Sequence, residues 1–176
     1  MLFAACWQAM AKVSDALDEK NPEYTEKYEK LISQIRKFYW DQDKGAFIDS
    51  FESGKRNVTR HANIFAILFH IATAEEQEKI LENVIKNDAI PAITTPYFNF
   101  FELDMLCQTG NLEFVLNKMR SYWGGMLDRG AVTFWEEFDP KAPVEEQYDM
   151  YGDRFGKSLC HAWAASPIYF LAKYFM

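Results

Sequence analysis

Residues 60–85 read RHANIFAILFHIATAEEQEKILENVI, and the two halves of this stretch behave differently. From Arg60 to about residue 72, apolar side chains (Ile64, Phe65, Ile67, Leu68, Phe69, Ile71) fall on nearly every side of a helix, so most of its surface must be covered by protein. Thr73 then stands three residues before Glu76, the spacing of a capping box. It opens a helix with Ile80, Leu81, Val84 and Ile85 on one face and charges on the other. An apolar inner helix followed by a charged outer one is the pattern of layered antiparallel helices.

The alternation extends in both directions. Upstream, Leu2, Cys6, Met10, Val13 and Leu17 recur at helical spacing and predict a helix over 2–18 with that stripe turned inward. Asn21 caps a second helix with Pro22 at its first position and Tyr24, Tyr28, Leu31, Ile32, Ile35 and Tyr39 on the inner face. Residues 41–59 read as a loop with a short strand at Ala46-Phe47-Ile48. Downstream, AIPAITTP (89–96) is a connector, and a helix over 97–108 stops at Gly110. Asn111 starts another with Val115, Met119 and Tyr122 inward, ending near Gly124-Gly125. A long loop (126–157) leads to a last helix from Ser158 to the C-terminus, kinked or broken by Pro167. The expectation is all-α: one domain over 1–176 with seven antiparallel helices in a toroid or solenoid. The lack of a short repeat argues against a TPR or ankyrin array.

Composition narrows the function classes. The 176 residues are 49% hydrophobic and 16% aromatic, with a net charge of −7, so a folded core is expected and no nucleic-acid or anionic-membrane partner. Cys6, Cys107 and Cys160 are scattered, which suits neither a disulfide framework nor a zinc site. Reduced cysteines suit the cytoplasm; a periplasmic or secreted location stays open for a piece of a longer protein. The three histidines lack metal-ligand spacing, and there is no phosphate loop and no GxSxG elbow, so no metal or cofactor is expected.

The densest chemistry lies in Thr133-Phe134-Trp135-Glu136-Glu137-Phe138-Asp139, two adjacent glutamates among three rings. A carboxylate beside an indole serves as general acid when desolvation raises its pKa, or as general base when hydrogen bonds keep it charged. Neighbouring side chains diverge, so only one of Glu136 and Glu137 should face a common site. Taken alone, a solvated acidic loop pinned by its rings explains the stretch equally well. His161, in SLCHAW on the expected last helix, reads by itself as a core histidine. His61 is ambiguous and His70 structural, and Tyr97, Phe98, Phe100 and Phe101 read as a core stripe. Rings and carboxylates without a metal or phosphate cradle point to a neutral, polyhydroxylated ligand.

Four segments read together resemble bacterial α-L-rhamnosidases of glycoside hydrolase family 78: RHANIFAILF, TPYFNFFELDMLCQTGN, YWGGMLDRGAVTFWEEFDP and SLCHAWAASPIYFLAKYF. The most specific elements are Gly-Ala-x-Thr-x-Trp-Glu (Gly130 to Glu136) and Ser-Leu-x-His (Ser158 to His161). The resemblance implies part of an (α/α)6 barrel and an inverting hydrolysis of α-L-rhamnosyl linkages. In such a reaction an acid protonates the leaving oxygen and a carboxylate roughly 6.5–9.5 Å away activates water. It makes Glu136 the base and His161 and Trp135 the sugar contacts; beside it, Glu137 is expected as the second-choice base and a further substrate contact. The family's general acid belongs to earlier helices, so a fragment or a shortened relative is expected. The inner helix 60–72 should expose an apolar face and drive homo-oligomer formation. The alternatives are a non-catalytic carbohydrate- or protein-binding module and another (α/α)6 sugar enzyme such as an epimerase.

Overall fold

The structure, a computed structural model, describes all residues from Met1 to Met176 as two compact units, Met1–Ala92 and Ile93–Met176. The first unit contains helices α1 (Leu2–Ala16), α2 (Pro22–Tyr39), α3 (Arg60–Leu68) and α4 (Ala74–Ile80), the last running on into a π-helical turn, Leu81–Ile85. Between α2 and α3, strands β1 (Trp40–Asp41) and β2 (Ala46–Phe47) pair antiparallel, Trp40 opposite Phe47 and Asp41 opposite Ala46. Asn21 caps α2 by accepting the Glu23 N–H at 3.1 Å, and Pro22 pre-sets the first turn.

Helix α1 is where the sequence places it but shows the opposite face to its partner. Its buried residues are Ala4 and Ser14, whereas Leu2, Met10, Val13 and Leu17 are 45–63% exposed and Cys6 is exposed too. The bulk on α2 explains the reversal. Tyr24 packs its ring on Trp7 at 5.8 Å, and the Tyr28 hydroxyl accepts from Gln8 at 3.0 Å, so small residues must line the rest of α1's covered side. The exposed apolar stripe expected on residues 60–72 therefore lies on α1, while Ile64, Ala66 and Ile67 of α3 are buried.

Helix α3 ends at Leu68, earlier than the apolar run suggests, because His70 adopts a left-handed backbone (φ 56°) that no helix interior allows. The capping box forms as read: Thr73 and Glu76 bond each other's backbone N–H groups. Glu76 also takes a two-pronged bond from Arg36 of α2 at 2.6 and 2.7 Å. Asn63, fully buried, accepts from the Phe47 N–H and donates to the carbonyls of Phe47 and Thr59, so the hairpin is fastened to the start of α3.

The second unit contains α5 (Pro96–Gln108), α6 (Leu112–Asp128) and α7 (Ser166–Tyr174), with 3₁₀ turns at Val144–Glu146 and Ala162–Ala164. Leu103, Met105 and Leu106 of α5 are buried, as are Val115, Met119 and Tyr122 of α6. Fully buried Glu102 and half-buried Lys118 join the two helices at 2.6 Å.

Two sequence expectations are corrected here. Helix α6 does not stop at Gly124-Gly125 but continues to Asp128. Gly125 has a packing purpose instead: a Cβ there would lie 2.7 Å from the Phe138 ring, so its absence seats that ring against the helix. The last helix does not begin at Ser158. Residues 158–161 are non-helical, and α7 starts at Ser166 with Pro167 in its first turn, where a missing N–H costs nothing. His161 thus sits on extended chain (φ −118°, ψ 109°), not on a helix.

Candidate active site

The segment carrying Glu136 has no regular structure of its own and is held by its neighbours. The Glu136 N–H donates to the Ser158 carbonyl at 2.9 Å, and the His161 N–H donates to the Phe134 carbonyl at 2.8 Å. The Thr133 hydroxyl bonds the Leu159 carbonyl, and the Phe138 N–H reaches the Thr94 carbonyl at 2.9 Å. These bonds lay residues 133–138 along residues 158–161, which brings together two elements about two dozen residues apart in sequence. Trp135 and Phe138 point inward. Trp135 is only 3% exposed and packs edge-on to Phe138 and Tyr148, so its ring is the floor beneath this segment and not an open wall.

Glu136 and Glu137 diverge. Glu137 accepts from the Thr94 hydroxyl at 2.9 Å and lies 3.7 Å from Lys157, whose ammonium is buried and bonded to the Gln147 carbonyl. Glu136 receives the Ser158 N–H on Oε2 at 3.1 Å and the Tyr151 hydroxyl on Oε1 at 2.9 Å; the His161 Nδ1 lies 3.9 Å from Oε2. The Ser158 N–H does most to hold the Glu136 carboxyl below the usual carboxylate range. The Tyr151 phenol, His161 and Lys157 add to it, and partial burial opposes them. The same bond pushes the Tyr151 phenol up, so it stays protonated and keeps donating.

A row of rings continues from the carboxylate. His161 lies 4.3 Å from Trp163, which lies 5.3 Å from Tyr97, and Trp163 and Tyr97 are each about half exposed. An ionised acceptor beside exposed ring faces is an arrangement that binds hydroxyl groups and C–H faces together.

Of the residues singled out in the sequence, Glu136 and His161 come together, Glu137 turns aside, and Trp135 lies underneath. Sequence reasoning missed Tyr151, the Ser158 N–H, Trp163 and Tyr97 as members of the site. The signal for Tyr151 lies in MYGDRFG, where Gly152 directly after it favours a tight turn; Tyr97 belongs to a run that reads as a core stripe. His61 lies in the first unit, on a groove of about 860 Å³ shared with Asp43, Asp49, Asn57 and Asn83. No three His, Cys, Asp or Glu side chains converge to hold a metal ion.

Residues 1–175 match the family described as the bacterial alpha-L-rhamnosidase 6 hairpin glycosidase domain. A rhamnosidase from Klebsiella oxytoca with rhamnose bound is similar over 98% of this chain and 33% of its own, with a TM-score of 0.80 and 28% identity. A GH78 family rhamnosidase of Bacillus sp. GL1 is similar over 97% of this chain and 18% of its own, with a TM-score of 0.76 and 24% identity, a likeness of fold. No curated protein matches. The chain thus spans about a third of the length of the Klebsiella protein. Its helices form three hairpins and a seventh helix, part of the six-hairpin fold. The chain belongs to the bacterial α-L-rhamnosidase six-hairpin glycosidase domain family.

Proposed function

We propose that this chain carries the water-activating side of an inverting α-L-rhamnosidase site, acting on terminal α-L-rhamnosyl linkages. The observation that carries the reading is the Glu136 carboxylate: ionised, fixed by a main-chain N–H and a phenol, and next to the half-buried His161 ring, from which the exposed rings of Trp163 and Tyr97 continue. Each carboxylate oxygen has two lone pairs and spends one on the protein, so each keeps one for water. Glu136 takes the water's proton as its oxygen attacks the anomeric carbon from the face opposite the departing glycosyl oxygen. His161 and Trp163 pack against the sugar ring. Trp135 supports the loop from below, and Glu137, tied to Thr94 and Lys157, holds the floor of the site. The general acid stands across the sugar on another part of the six-hairpin fold. The rhamnose-bound relative supports the choice of sugar. The match of one family description across residues 1–175 supports reading both units as one domain.

Homo-oligomer formation is part of the proposal. It is supported by the exposed apolar stripe of α1, and sizing with light scattering tests it, a monodisperse monomer at high concentration being the contrary result.

The test of the sugar site is a thermal-shift titration with free sugars. L-rhamnose at about 100 times its dissociation constant stabilises by about 2.7 kcal/mol, a shift of several degrees that His161→Ala abolishes. An equal shift with every sugar, or one that survives in the variant, removes the sugar site from the reading.

A further inference from the structure

We propose that Tyr151 is a positioning residue for Glu136: a strained turn presents its phenol to the carboxylate and fixes how that carboxylate meets water. The inference rests on the reading of Glu136 as the water-activating base and deepens it.

The geometry of the turn carries the argument. Tyr151 has φ 54°, a left-handed conformation unusual for an aromatic residue, and it persists only where the surroundings over-determine it. Met150 and Asp153 exchange reciprocal backbone bonds at 3.0 and 2.9 Å, closing the turn over Tyr151 and Gly152, itself at φ 79°. The Gly156 N–H returns to the Asp153 carbonyl, and a Cβ at Gly156 would stand 2.3 Å from the Met150 carbonyl oxygen, so only glycine lets the chain leave the turn this closely. What the turn delivers is one contact. The Tyr151 ring is 80% exposed, so packing does not explain its placement, yet its hydroxyl donates to Glu136 Oε1 at 2.9 Å.

The other groups at the carboxylate are fixtures. The Ser158 N–H is main chain, His161 stands 3.9 Å away, Lys157 is committed to the Gln147 carbonyl, and Glu137 faces Thr94 and Lys157. Tyr151 is therefore the one side-chain hydroxyl that sets the rotation of the carboxylate, leaving the second lone pair on each oxygen for water. During the attack the water O–H bond breaks, a Glu136 O–H bond forms and the oxygen joins the anomeric carbon. Tyr151 keeps its proton throughout and shifts only the strength of its bond.

The experiment compares the intact wild-type chain with Tyr151→Phe and Glu136→Gln by carboxyl-carbon NMR titration of glutamate, and by pH–rate profiles on an aryl α-L-rhamnoside whose phenolate departs without protonation. In Y151F the Glu136 resonance titrates at higher pH than in wild type, the acidic limb of turnover moves the same way, and kcat falls about tenfold with Tm unchanged. A purely structural role would lower Tm and leave both pH readings in place. Coincident titration curves for wild type and Y151F overturn the positioning role and leave the base reading standing. Full turnover in E136Q overturns the base reading, while the NMR coupling of Tyr151 to Glu136 is still measured in its own right.

Discussion

Two glutamates, one in each unit, are equally withdrawn from solvent: the side chain of Glu76 is 11% exposed and that of Glu136 13%. Their partners differ in kind. Glu76 is saturated by a guanidinium fork and the Thr73 N–H, every donor belonging to helix ends and faces that must meet for the fold to close. Glu136 faces no guanidinium. It has a main-chain N–H, an exposed phenol and an imidazole just out of bonding range, all on irregular chain. A carboxylate neutralised by fixed charge is an element of architecture. One held by weaker, directional donors keeps its charge and spare lone pairs, which is what a base needs.

The sharpest way to test that contrast is to neutralise each in turn. Glu136→Gln lowers turnover of an aryl α-L-rhamnoside with an activated phenolate leaving group about 1,000-fold with little change in Tm, in line with loss of a general base. Glu76→Gln does the reverse. It leaves the Arg36 fork half satisfied and costs about 2 kcal/mol in urea unfolding, a figure reduced for the partial exposure of Arg36, while L-rhamnose binding is kept. Equal destabilisation by both variants would erase the distinction.

A third substitution probes what supports the loop. Gly125→Ala pushes a methyl group into the Phe138 ring and costs about 2 kcal/mol by equilibrium unfolding. Gly124→Ala, which meets nothing within 4 Å, costs far less or stabilises the helix. Trp163→Ala weakens L-rhamnose binding about tenfold by titration calorimetry and leaves unfolding nearly unchanged, because the ring is half exposed.

The smallest effect is in pH. The folded-state pKa of Glu136 lies below its ordinary value of 4.5, so its contribution to stability is present above that value and is lost as pH falls through the folded pKa. Unfolding measured from pH 6 downward shows this loss in wild type, at higher pH in Y151F, and not in E136Q.

The helices and the site were unequally legible in the sequence. All seven helices are expected from the sequence, most clearly the amphipathic ones, and the Thr73 box and Asn21 cap mark the starts of two of them, because spacing and capping are local properties. Which face of α1 is covered was not legible. It depends on the tyrosines of α2, which claim the small side of α1 although its stripe of Leu2, Met10 and Val13 is the more hydrophobic. Gly125 looked like a stop for α6 because the ring that needs its missing Cβ lies thirteen residues on in the chain. At the site, the two motif elements named Glu136 and His161. Their pairing through the Phe134 and Ser158 carbonyls, and the delivery of Tyr151 by a left-handed turn, are long-range or conformational facts that no spacing rule encodes.

The most direct test of Glu136 as a water-activating base uses an aryl α-L-rhamnoside whose phenolate departs without protonation, so that turnover does not depend on the general acid. With wild-type chain, NMR observation of the first product is predicted to show the inverted β-anomer of L-rhamnose. Glu136→Gln is predicted to release phenol at least 100-fold more slowly. Release of phenol at the same rate by the variant, or an α-anomer as first product, would contradict the account.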